Sequence, residues 1–112
     1  MFAHAVEYIP KVQKKDELMK TVRQEVLPIL RKQPGFLELL PLIPENENDR
    51  YLSVALWTDI GQAEKFVKSD AFTKIEQKLK VFLDTPTSYT IKNFHVETSV
   101  CEHLVDTLTA AA

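Results

Sequence analysis

The sequence is poor in the features that would assign it to a specialised class. It has one cysteine, Cys101, so no internal disulfide can form and a reducing compartment suits the chain. No stretch approaches the roughly 20 apolar residues that a membrane-spanning helix needs, and Met1-Phe2-Ala3-His4 does not open like a secretory signal. Neither charge dominates: 14 Lys and Arg stand against 16 Asp and Glu, for a net charge of -2, and the basic residues are scattered. Nucleic-acid binding rests on clustered phosphate neutralisation, so that partner is not expected. Cys101 and His103 have no companions at metal-ligand spacing, so no metal site is expected either. These absences lead us to expect a cytoplasmic protein with neither membrane nor nucleic acid as partner.

What is present is an ordinary core-forming composition. The chain has 112 residues, 45% hydrophobic and 27% charged, which fits one globular domain. Its organising stretch is the apolar run Tyr51-Leu52-Ser53-Val54-Ala55-Leu56-Trp57, which feeds directly into a helix. Asp59, with Gln62 three residues on, supplies the cap, and Ala63, Phe66 and Val67 begin the apolar stripe. A first strand is expected over Phe2 to Ile9. An amphipathic helix follows, with Leu18, Val22, Val26 and Ile29 at helical spacing. Pro28 cannot donate to the carbonyl of Gln24, so a kink or early stop is expected there.

Gln33-Pro34-Gly35 turns the chain into a second strand, Phe36 to Ile43. Its Leu37, Leu39 and Ile43 alternate with Phe36, Leu40 and Leu42, and Pro41 marks it as an edge or bulged strand. The polar turn from Pro44 to Asp49 makes a hairpin with the organising run. The second helix breaks at Ser69-Asp70 into two segments and stops at Thr85-Pro86, and a last strand spans Ser88 to Glu97. Ser99 with Glu102 predicts a capping box for a short third helix. The order β-α-β-β-α-β predicts an α+β, ferredoxin-like split βαβ fold with a four-stranded antiparallel sheet. Two helices cover only one face of such a sheet, yet the first three strands are apolar on both. A homodimer, sheet against sheet, is therefore expected.

Several of these residues together resemble a known family: Pro34-Gly35-Phe36-Leu37, Tyr51-Leu52, Trp57-Thr58-Asp59, Phe66 and Ser69-Asp70-Ala71-Phe72. The pattern is similar to the antibiotic biosynthesis monooxygenase domain, a dimeric α+β barrel family. The resemblance divides the chain into a domain over 1–98 and a helical extension over 99–112. It implies a homodimer with a pocket between sheet and helices in each protomer. The activity it implies is cofactor-free oxygenation of a small aromatic or quinol-like molecule, with a non-catalytic ligand-binding or stress-associated dimer as the alternative. A haem-degrading branch of the family is disfavoured. Its pattern of Asn on the first strand and Trp then His on the second helix is not matched, because Phe66 and Glu76 stand at or near the last two places.

Oxygenation without a cofactor needs a base to make the substrate electron-rich, donors to hold the resulting oxyanion, and walls that exclude water. His95, ahead of His4, is the candidate base, each weighed against a hydrogen-bonded structural role. Trp57, Phe66, Phe72, Tyr8, Tyr89 and Asn93 are the candidate substrate contacts, with core packing as the other reading of the aromatics. Glu38 is the lone charge on an apolar strand. It reads either as a base of raised pKa or as an edge charge that discourages pairing.

Overall fold

Among the described residues four strands form, β1 (Phe2–Tyr8), β2 (Phe36–Leu42), β3 (Tyr51–Trp57) and β4 (Thr90–His95), and only β2 contains a breaker, Pro41. The computed structural model describes residues 1–46, 48–84 and 89–111. The expected helix stop at Thr85-Pro86, the expected strand start at Ser88 and Glu47 of the hairpin turn lie outside the described residues. All four strands join one open sheet in the order β2-β3-β1-β4, with every pairing antiparallel. Between the strands lie α1 (Lys15–Thr21), a π-helical turn (Val22–Val26), α2 (Leu27–Arg31), α3 (Ile60–Val67) and α4 (Asp70–Lys80). The α+β, ferredoxin-like arrangement read from the sequence is the one observed.

Pro28 neither stops nor simply kinks the first helix. The turn before it opens into a π turn, in which the Leu27 N–H bonds the carbonyl of Val22, and the helix then runs on to Arg31. A wider turn makes room for the proline ring at the place where a hydrogen bond would be lost in any case. The break in the second helix is built from two caps. Asp59 accepts a hydrogen bond from the Gln62 N–H at 2.9 Å, and the Ser69 hydroxyl accepts from the Phe72 N–H at 3.3 Å while donating to the Phe66 carbonyl at 2.6 Å. Gly35 leaves α2 at φ +82, where a Cβ would stand 2.7 Å from Gln62. The entry to β2 and the start of α3 therefore pack at a distance only glycine allows.

The face alternation expected for β2 is corrected by a bulge. The register slips between Phe36 and Glu38, so Phe36 pairs with Trp57 and Leu39 with Ala55, and both point toward the helices. Glu38, Leu40 and Leu42 take the outer face. The expected capping box at Ser99 is also absent: its hydroxyl donates to Glu97 at 2.6 Å, and α5 (Glu102–Ala111) starts beyond it and packs on β2.

Candidate functional site

The helix-facing side of the sheet is well filled at one end and open in the middle. At the filled end Phe2 pairs with Trp57, whose side chain is fully buried with Phe36 and Phe66 at ring-centroid distances of 5.6 and 5.0 Å. The next inward-facing residues of β3 are Ala55 and Ser53, opposite His4 and Val6. Such short side chains do not reach the helical layer. The result is a cavity of about 130 Å³, floored by His4, Val6, Tyr8, Ser53 and Ala55. Val22 and Val26 of the π turn wall one side, and Phe66, Phe72, Ile75 and Leu79 wall another. Exposed Lys80 and Ile91 stand at its rim.

The cavity lies at a seam in the core. One buried cluster gathers Phe2, Val26, Leu30, Trp57, Ala63, Phe66 and Ile75, and a second gathers Tyr8, Leu18 and Leu83. Val22 and Leu79 pack against both clusters without closing the gap. The apolar walls make any polar group inside conspicuous. His4 is 4% exposed and its Nε2 is buried without a hydrogen-bond partner. Burial holds its pKa below the ordinary imidazole value, so the neutral form is favoured at pH 7.

Two further polar pairs belong to the cavity. Ser53 Oγ donates to the Tyr8 hydroxyl at 3.3 Å, and burial is the main reason the Tyr8 pKa is raised. The Tyr89 hydroxyl donates to the Glu76 carboxylate, and that bond is the main reason the Tyr89 pKa is raised.

The structure brings together five of the residues singled out from the sequence: His4, Tyr8, Phe66, Phe72 and Tyr89 all line the cavity. Trp57 lies beneath it in the core and is not a wall. Asn93 and His95 pair with His4 and Phe2, which puts them on the same side of the sheet, but both are exposed on the edge strand β4 and outside the lining. Glu38 is exposed, turned to the outer face, and accepts a hydrogen bond from the Leu39 N–H at 2.9 Å. Ser53 was not singled out and Glu76 was weighed only against the haem-degrading pattern, although both carry a signal for the cavity. Ser53 shares the alternating face of Trp57 and Ala55, and Glu76 follows Phe72 by four residues and so sits within the apolar helical stripe. Among the described residues no group of three or more His, Cys, Asp or Glu gathers to hold a metal ion, and no helix is long and apolar enough to cross a membrane.

The model of the family described as antibiotic biosynthesis monooxygenase matches residues 1–78. The chain belongs to this family. Solved structures with the same fold include SnoaB from Streptomyces nogalater, described as a cofactor-independent oxygenase. It is 14% identical with a TM-score of 0.69, and the match covers 86% of this chain and 92% of that one. A protein from Bordetella bronchiseptica named for the same family superposes with a TM-score of 0.71 at 12% identity, over 85% of this chain and 96% of the other. A conserved protein from Methanosarcina mazei reaches 20% identity and a TM-score of 0.67 over 87% and 94%. No curated protein matches the chain significantly.

His4 gives this family member a stability signature. The unfolded chain takes up a proton at His4 near pH ~6.5, whereas the folded chain, with its lowered pKa, does not. Stability therefore falls as the pH drops below ~6.5 and levels off only below the folded pKa. Urea denaturation between pH 7.5 and 5 will show a falling midpoint, and His4→Gln will flatten that slope; an unchanged slope in the variant contradicts burial of a neutral imidazole.

Proposed function

We propose that the chain is a cofactor-independent monooxygenase acting on a small phenolic or quinol-like aromatic molecule. The observation that carries this reading is a neutral, buried imidazole, His4, without a hydrogen-bond partner at Nε2 and set in the floor of an otherwise apolar cavity. Membership of the family supports the reaction class. A quinol bound there gives its hydroxyl proton to His4, and the phenolate so formed is electron-rich enough to transfer electrons to O2. One oxygen atom is added to the ring and the other leaves as water, so that quinol and O2 give hydroxyquinone and water, with all four electrons supplied by the quinol. Apolar walls keep bulk water from the anion, and Tyr8 offers a hydroxyl to a substrate oxygen. In this reading His4 takes the place of His95 as the base, because His95 is exposed on β4 and does not line the cavity.

The second reading is a receptor without turnover. The engagement of Tyr89 with Glu76 favours it, since it withdraws one hydroxyl donor from the cavity. We also propose a homodimer of cytoplasmic location, in which residues 1–98 form the domain and 99–112 an extension. On the outer sheet face Ala3, Ala5 and Leu56 are already buried within the chain, Leu52 and Val54 are half-buried, and Leu40, Leu42 and Phe94 are left 38%, 48% and 51% exposed. A second copy would shield the exposed Leu40, Leu42 and Phe94, since apolar side chains grouped on one face favour association.

Oxygen consumption with a hydroquinone panel separates the two readings. We expect uptake that His4→Gln lowers by about 100-fold or more and His95→Ala leaves near wild type. Silence from folded wild-type protein, accompanied by thermal stabilisation with the same compounds, would leave the receptor. For the assembly, sedimentation will show a dimer, and a stable single protomer at micromolar concentration contradicts it.

A further inference from the structure

The cavity has a size and a polarity that select within the aromatic class. We infer that it takes a single six-membered ring carrying oxygens at opposite ends, a para-diphenol, rather than a fused-ring substrate. This inference rests on the reading of the cavity as the ligand site and adds what fits there. Its volume is about 130 Å³. An apolar cavity of about 150 Å³ in another protein is filled by benzene, so one ring fills the enclosed part of this space, which opens at the rim by Lys80 and Ile91. Extension toward the Phe2 end is blocked by Trp57, which is fully buried between Phe36 and Phe66. Extension the other way meets the buried pair Leu18 and Leu83 packed with Tyr8.

The two oxygens are assigned by two different polar groups. His4, neutral and without a partner at Nε2, accepts a proton from a hydroxyl. The Tyr8 hydroxyl already receives the hydrogen of Ser53, so its own hydrogen remains to be donated to a ligand oxygen. Ser53 stands opposite Val6 and Ala55 opposite His4. The Tyr8 hydroxyl, held at Ser53, is therefore displaced from the level of His4 by one dipeptide step, about 6.8 Å. One ring with an oxygen at each end can bridge that step by a hydrogen bond to each group. A monophenol satisfies only one of them and leaves the other buried polar group unpaired, which costs affinity.

The test is binding in the absence of oxygen, by calorimetry on the full chain with hydroquinone, phenol, 1,4-naphthohydroquinone and anthrone as probes. We expect hydroquinone to bind about tenfold more tightly than phenol and the two fused-ring probes to bind more weakly than phenol. Tyr8→Phe keeps the ring and removes the hydroxyl, and it will bring hydroquinone down to the level of phenol. Should that variant fail to fold, Ser53→Ala, which releases the Tyr8 hydroxyl, will narrow the same gap. Equal binding of hydroquinone and phenol, tighter binding of either fused-ring probe, or no binding of any probe overturns the inference. Selective hydroquinone binding without turnover in air would sink the monooxygenase reading and leave this one intact. Turnover confined to the fused-ring probes would do the reverse.

Discussion

A step in side-chain size along one face of β3 underlies the rest of this structure. Trp57, Ala55 and Ser53 point in turn toward the helices, and the two short side chains border the cavity. The tryptophan spans the gap between sheet and helix and pins the filled end through Phe36 and Phe66. The alanine and serine cannot span it. Interiors are packed almost as densely as organic crystals, so a shortfall of this kind persists as a void unless neighbours collapse into it. Here they are held back: the Asp59 and Ser69 caps fix where α3 and α4 begin, and the π turn ahead of Pro28 fixes where Val22 and Val26 lie.

The same shortfall explains the electrostatics. A histidine beneath tightly packed helices would be forced to find a hydrogen-bond partner or be replaced by an apolar residue. His4 instead borders empty space, keeps its Nε2 unpartnered, and is driven toward its neutral form by burial. Its ring stands beside that of Phe72, at a centroid distance of 6.2 Å. Ser53 donates to Tyr8 and Tyr89 to Glu76, so within the apolar walls the imidazole of His4 is left without a partner at Nε2. The left-over polarity is a consequence of packing, and the proposed chemistry depends on it.

Much of the architecture was legible because it rests on local signals. The caps at Asp59 and Ser69, the turn at Gly35 and the short strand runs each act over a few residues, and together they give the element order and hence the sheet. The bulge after Phe36 was not legible, because register depends on which neighbour the strand finds, and β2 is apolar on both faces. The site was legible in part. His4, Tyr8, Phe66, Phe72 and Tyr89 have side chains whose chemistry draws notice, whereas Ser53 and Ala55 matter for being small. Smallness becomes visible only once the opposing layer is in place. Nor did the sequence distinguish His4 from His95: both face the helical side, but one lies on the central strand β1 and the other on the edge strand β4.

The central claim is that the void above Ala55 is where an aromatic ligand binds. Ala55→Leu fills that void with side-chain volume while leaving every polar group in place. The measurement is the shift in thermal midpoint caused by saturating hydroquinone under nitrogen, in the wild type and in this variant. The account predicts a variant that is folded, about as stable as the wild type, and no longer stabilised by the ligand. A folded variant stabilised as much as the wild type would contradict it, because the ligand would then be binding somewhere else.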